Sequence, residues 1–549
     1  MTHADLILTG GVVRTADRSL PVAEAIAFAS GRILAVGDAS AVLTHQGPET
    51  VVRDVSGSAV YPGFVDAHNH HAIAGITELY ELSFSSSLSL DEVLEKIRAH
   101  AATLPEGAWI TGGSWGATLM DELSTTATRL RLDEAAGGRP VMLSDDSHHN
   151  RWANTTAMRL GGVTKEAIPA DGVTLLDPID GEPTGILLEA AGIPVAQAHA
   201  GSGGLTAEQH RRASQRGIEM LNEFGITAFQ DAAVSLEILG ALKSLDEAGE
   251  LDAWVVSSLT INDDIFGFSP VGQPLVDAGE AFRSPHHRPD FVKIFLDGIP
   301  PSRTALFLEP YLPDDLHGAH YHGTTTMDAD ELYGWLRMVA ERGLGAKVHC
   351  TADGTARLLL DVVERLRSEG FTGTAFQLAH GQYFGEGDIA RLARLGVGAE
   401  ISPFLWFPGV IPQALAAVLG EERGEHLQPN RSLIDAGALV AAGSDWPVSE
   451  SPNPFEGIQG LVTRADPLRR APGALWPEEG ITAAEAHEVF SINGARMIGL
   501  GDETGSLQVG KSADFVILDR DFVAGPADQI IETRVRETWF AGRQVYAAG

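Results

Sequence analysis

Short apolar runs recur through the middle of the chain, and most give way to a stretch whose apolar positions repeat with helical spacing. The runs are YPGFVDAHNHH (61–71), ITAFQDA (226–232), DAWVVSSLT (252–260), FVKIFLDG (291–298), AKVHC (346–350), AFQLAHG (375–381), VGAEISP (397–403) and LVAAGSD (439–445). Strand followed by helix, eight times over, predicts an α/β fold built on a (β/α)8 TIM barrel.

Both ends have a different texture. ADLILTGGVVRTA, AEAIAFASGRILAVG and TVVRDVSGSAV near the start, and SLQVGKSADFVILDRD and RVRETWFAGRQVYAAG near the end, read as short strands with Gly-containing turns. They predict a small antiparallel sheet domain, a β-sandwich, assembled from 1–60 and 500–549. The barrel then takes 61–75 and 205–499. Between His71 and Ile226 the chain is far longer than one barrel repeat needs, and it holds both helical stretches and strand-like AWITGG and RPVMLSD. An α+β insertion over the barrel mouth, 76–204, is expected after the first barrel strand, which makes the barrel a distorted one.

Composition narrows the function classes. At 549 residues, with 44% hydrophobic and 21% charged, the chain reads as an ordinary globular protein of more than one structural unit. A formal charge of −35 argues against nucleic acid and anionic membrane as partners. No apolar run is long enough to cross a bilayer, the start lacks a basic leader, and Cys350 is the single cysteine. A cytoplasmic enzyme acting on a small molecule is the expectation, with a homodimer left open.

Barrels carry their chemistry at the C-terminal ends of the strands. Here those ends offer His68 and His70, Lys293, His349, His380 and Asp445. His68 and His70 stand two apart on an extended strand, so both rings share a face and supply half a coordination sphere for zinc or a similar ion. The competing reading is two polar histidines satisfied by backbone. Lys293 sits between Val292 and Ile294, where an ammonium is costly unless paired. It is either ion-paired with Asp297 or Asp231, or carbamylated by carbon dioxide into an anion able to bridge two metals. Asp445, in VAAGSDW, is a candidate general base, or a turn or helix-capping residue. Phe404, Trp406 and Phe407 in PFLWFPG, with Trp115 and Trp446, either line an aromatic pocket or hold the insertion on the barrel. Gly185–Glu189 reads as a mobile loop carrying Glu189 to the substrate, or Glu189 as a first-turn helix carboxylate.

Taken in order, PGFVDAHNH, VKIFLDG, VHCTADGTA, LAHGQ, GSDWPV and GSLQVGKSADFVILD resemble the metal-dependent amidohydrolase superfamily. RPVMLSDDSHHNRWANTTAM and DGEPTGILLEAA resemble its amidohydrolase family 3 branch, which includes N-substituted formamide deformylases. The resemblance implies His68, His70 and Asp445 on a more buried metal and His349 and His380 on a second, with carbamylated Lys293 bridging them. The metals would be two zinc ions, or manganese or iron, with Asp445 moving the proton. It also implies that His149 and Trp152 sit near the substrate. This chain departs from the branch in having Ser147 and His148 before His149, so His148 competes for that place.

The leading expectation is hydrolysis of a non-peptide carbon–nitrogen bond in an amide, formamide or cyclic amide. An ester, lactone or carbonate hydrolase and a deaminase are alternatives on the same scaffold. A binding protein that has lost its metal predicts a gap among the six strand-end residues, and the sequence has none.

Overall fold

A computed structural model describes residues 2–166, 172–263, 265–405 and 407–549. Eight strands run in chain order around a parallel sheet: Phe64–Asn69, Ile226–Val234, Trp254–Thr260, His287–Phe295, Gly345–His349, Phe376–Ala379, Val397–Ile401 and Val440–Ala442. They are called barrel strands one to eight below. Each falls on one of the apolar runs singled out above. The barrel closes at its C-terminal end, where the Asp445 amide donates to His68 O at 2.7 Å and the His70 amide to Trp446 O at 2.8 Å. The fold is a distorted TIM barrel with an additional β domain.

Helices pack outside the barrel through the apolar stripe that their spacing prescribes. On Asp353–Ser368 the buried positions include Leu359, Leu360, Val363 and Leu366, one face of a helix. Inside the barrel the filling is more polar. Lys347 donates from Nζ to Ala67 O at 2.8 Å, Gln230 from Nε2 to Ser258 Oγ at 3.0 Å, and Gln377 from Nε2 to Met497 O at 2.8 Å. Buried polar groups are tolerated when hydrogen-bonded.

Strands from both ends of the chain share one sheet, in which Ala59–Pro62 pairs with Phe515–Leu518. The sheet is not purely antiparallel as expected. Leu6–Arg14 runs parallel to Val51–Asp54 and to Ala59–Pro62, because the intervening hairpin Val22–Ala29 and Arg32–Gly37 returns the chain across the other edge. The long interval after barrel strand one holds a second sheet in the order Gly172–Leu176, Pro183–Glu189, Asn150–Ala153, Val141–Asp145, Ile110–Trp115. Among the described residues no helix is long and apolar enough to cross a membrane.

Candidate metal centre

All six strand-end residues converge, and all are buried. His68 Nε2 and His70 Nε2 lie 3.4 and 3.5 Å from Asp445 Oδ1, and Lys293 Nζ lies 3.5 Å from His68 Nε2. These are poor hydrogen-bond lengths but good spacings for donors around one ion. Bonds of about 2.0–2.1 Å in a tetrahedron put the donors about 3.3 Å apart. His349 Nδ1 and His380 Nε2 face each other at 3.0 Å, and Asp445 Oδ2 lies 3.9 Å from His380 Nδ1. The donor atoms of His68, His70 and Asp445 all fall within 4.8 Å of one another and could hold a metal ion.

The opposite ring nitrogens show which atoms are free to coordinate. His68 Nδ1 is 2.6 Å from Glu400 Oε2, and a carboxylate accepts, so His68 carries its proton there and turns a lone pair on Nε2 towards the cluster. His349 donates from Nε2 to Gly298 O at 3.2 Å, which leaves Nδ1 as its lone pair. His380 Nδ1 meets Ser402 Oγ at 2.9 Å. Burial above all, reinforced by nearby cations, holds His68 and His349 well below the usual imidazole range; burial and the neighbouring His349 do the same for His380. Neutral rings are what metal ligation requires. Burial likewise pushes the Lys293 ammonium down to about 7, against the pull of Asp445.

Glu400 is the residue that sequence reasoning passed over. His68, His380 and Glu400 form a second group with metal-compatible spacing. However, 2.6 Å is a hydrogen bond, shorter than two donors on one ion would allow, so Glu400 orients His68 from outside the coordination sphere. Asp66 braces the same strand, accepting from the His68 amide at 3.1 Å and from the Ser444 amide and hydroxyl at 2.9 and 2.6 Å. Gly443 permits that close approach, since a Cβ there would stand 2.3 Å from His68 Cβ. His380 and Asp445 take positive φ values of 76° and 55°, conformations that cost non-glycine residues about 1–3 kcal/mol and that cluster at functional sites.

The cavity beside these residues measures about 30 Å³, and Ser147, His148 and His149 of the insertion, with Ile265, Phe266, Phe295 and Val448, also line it. His148 and His149 therefore both reach it. Glu189 does not line the cavity but holds His149, with Oε2 2.8 Å from His149 Nδ1. Burial opposes a proton on His149, and the Glu189 carboxylate outweighs it, raising the ring above the usual imidazole range. A larger cavity of about 690 Å³ lies elsewhere, between Phe307, Arg357, Tyr383, Arg423 and Trp476, and holds none of the six residues.

Several expectations are corrected. Trp115 and Trp152 are fully buried in the insertion's own core, with Trp115 donating to Leu143 O at 3.4 Å, so neither meets the cavity. Phe404 packs edge-on against Phe490, and Trp446 is buried in the main barrel core; both serve packing. Trp406 lies outside the described residues. Gly185–Glu189 is part of strand Pro183–Glu189, not a loop. Lys293 makes no ion pair with Asp297 or Asp231 among the described residues: Asp297 accepts from the Thr351 and Ala352 amides, and Asp231 faces His71 Nδ1 at 2.7 Å.

The sequence profile of the amidohydrolase family matches residues 51–546. The chain belongs to the amidohydrolase family. It is an enzyme, a hydrolase acting on carbon–nitrogen bonds. It is 31% identical to the N-substituted formamide deformylase of Arthrobacter pascens, over 98% of this chain and 97% of that protein. It is 28% identical to Protein LONG AFTER FAR-RED 3 of Arabidopsis thaliana, over 99% of this chain and 92% of that one. In fold it is similar to an uncharacterized metal-dependent hydrolase of Pyrococcus horikoshii, with a TM-score of 0.74, 22% identity and coverage of 95% and 99%.

Proposed function

We infer that this amidohydrolase cleaves an amide, formamide or cyclic amide at a two-metal site, with Asp445 as general base. The observation that carries the reading is the pair of donor sets, in which hydrogen bonds on the opposite ring nitrogens of His68, His349 and His380 turn their lone pairs inward. His68 Nε2, His70 Nε2 and Asp445 Oδ1 would hold one divalent ion, and His349 Nδ1 and His380 Nε2 a second. Zinc suits these donors; manganese and iron are the other candidates. Bound there, such ions lower the pKa of water and polarise a carbonyl.

The chain's own residues supply the rest. Lys293 is buried without a carboxylate partner among the described residues, which favours the neutral amine. That amine could add to carbon dioxide and release a proton, and the resulting carbamate on Lys293, whose Nζ lies 3.5 Å from His68 Nε2, would supply anionic oxygen ligands to the ions. Asp445 presents Oδ1 to His68 and His70, and its Oδ2 lies 3.9 Å from the His380 ring at Nδ1, so it sits beside the second set as a member of the first. It takes the proton of the attacking water and passes it to the leaving nitrogen. Phe266 and Phe295, against His70 and His349, give the cavity an apolar wall. The reading places a small-molecule substrate in a cytoplasmic enzyme.

The deciding experiment combines metal analysis with a hydrolysis screen of formamides, N-acyl amines, N-acyl amino acids, lactams and aryl esters using zinc- and manganese-loaded protein. Amine release and at least one metal per chain are expected. Turnover of esters alone would overturn the reading, and so would a protein that holds no metal.

A further inference from the structure

His380 is the strained member of the second donor set, with φ at 76°, and its backbone is held from both sides. Its amide donates to Glu400 Oε2 at 3.1 Å, and its carbonyl accepts from Gln428 Nε2 at 3.0 Å. The same Gln428 nitrogen donates to Ser402 O at 3.3 Å, and Ser402 Oγ lies 2.9 Å from His380 Nδ1. The backbone amide of Gln428 donates in addition to Gln382 O, two residues past His380, at 2.8 Å. One side chain thus joins the backbone of a proposed metal ligand to the backbone of the residue that meets its ring.

Gln428 is fully buried and stands just before helix Asn430–Asp435, outside the barrel strands. Its Oε1 has no hydrogen-bond partner among the described residues, a cost that an apolar side chain of the same length would avoid. Turning the amide over would set Oε1 against two carbonyls, so the residue is there for its N–H groups. Its φ of 54° is a left-handed conformation that its surroundings must sustain. Arg464, fully buried at the end of helix Pro454–Thr463, does so, donating from Nη1 to Gln428 O at 3.1 Å and from Nη2 to Leu427 O at 3.0 Å. Glu400 touches both donor sets, through His68 Nδ1 and the His380 amide. Gln428 touches only the second, since among the described residues none of its hydrogen bonds reaches His68, His70, Lys293 or Asp445.

We propose that Gln428, pinned by Arg464, is the positioning residue of the second ion. By tying His380 O to Ser402 O it holds the His380 ring with Nε2 3.0 Å from His349 Nδ1. The inference rests on the two-metal reading above and deepens it, because it separates a residue that serves one ion from Glu400, which serves both. Without the tie, the strained backbone of His380 keeps only its amide bond to Glu400, and the ring swings away from His349. The first donor set takes no part in that movement.

The test titrates chelator-treated, full-length protein with cobalt(II), following the visible absorption of the bound ion and counting the ions retained per chain after desalting. The wild type takes up two. Gln428→Met keeps the length of the side chain and loses both N–H donors. It binds the first ion as the wild type does and the second about 10- to 100-fold more weakly. Gln428→Asn, whose amide is one carbon too short to reach the two carbonyls, shows the same selective loss. Arg464→Lys shows it to a smaller extent, because an ammonium does not hold two carbonyls as the planar fork does. A residue that merely packs would weaken both ions together or neither. Either result in a Gln428 variant folded by circular dichroism would overturn the proposal. Failure of both Gln428 variants to fold would overturn it as well, since Gln428 would then serve the fold at large. A wild type that binds one ion or none would sink the two-metal reading itself, and the proposal with it, before any variant is made.

Discussion

Two carboxylates approach His68, and their distances give them different work. Asp445 Oδ1 stands 3.4 Å from Nε2, whereas Glu400 Oε2 stands 2.6 Å from Nδ1. Asp445→Asn keeps the shape but removes the proton acceptor, and kcat is expected to fall by about 10²- to 10⁴-fold, measured at saturating metal. Glu400→Gln leaves every proposed ligand in place and weakens the orientation of His68. Metal affinity is expected to drop by about 10- to 100-fold in a chelator competition, with kcat largely recovered at high metal concentration. Unchanged affinity would remove Glu400 from its orienting role. Asp445 was legible in the sequence because it ends the apolar run LVAAGSD. Glu400 sits just as visibly in VGAEISP, but its partner is 332 positions away and the pairing exists only once the barrel closes.

At the scale of elements, strand ends were readable and side-chain destinations in the insertion were not. All the barrel strands but His287–Phe295, where Arg288 and Asp290 are half-buried, are buried on every residue, as in Val397–Ile401, so continuous apolar runs identify them without ambiguity of face. In the insertion, Trp115 and Trp152 belong to strands of a sheet with its own core, and aromatic residues fill such a core as readily as a binding site. The same limit applies to Glu189: sequence placed it near the substrate, but its bond to His149 depends on the pairing of Asn150–Ala153 with Pro183–Glu189. Barrel closure makes a sharper demand. Gly443 follows barrel strand eight, and a Cβ there would meet His68 Cβ at 2.3 Å and Glu400 Oε1 at 2.6 Å. Gly443→Ala is therefore expected to cost about 1–3 kcal/mol by denaturant unfolding, since the overpacked atoms lie in a rigid interior. It should also release metal more readily than the wild type in the same competition. A variant with wild-type stability and metal retention would show that the His68–Glu400 contact yields without consequence.

At the scale of the whole molecule, the two ends of the chain are joined by charge as well as by strands. Arg14 donates to Asp521 Oδ2 at 2.7 Å, and the Tyr61 hydroxyl donates to Asp521 Oδ1 at 2.5 Å, so one carboxylate ties the N-terminal sheet strands to the segment after Phe515–Leu518. Burial pushes the Asp521 carboxyl up, but the Arg14 guanidinium and the Tyr61 hydroxyl outweigh it and hold the carboxyl below its usual range. A carboxyl whose folded pKa is depressed binds more protons unfolded than folded, so its stabilisation is present above the unfolded value, near 4. It is lost as pH falls through the lower folded value. Asp521→Asn is expected to lower the melting temperature at pH 7 by about 1–3 °C, small because the chain is long and the group partly solvated. The gap between variant and wild type should then close as pH drops below about 4, because protonation removes from the wild type what the substitution removes from the variant. A gap that stays constant from pH 7 to pH 3 would mean that the asparagine acts through packing, and that the terminal strands are held by their backbone ladder alone.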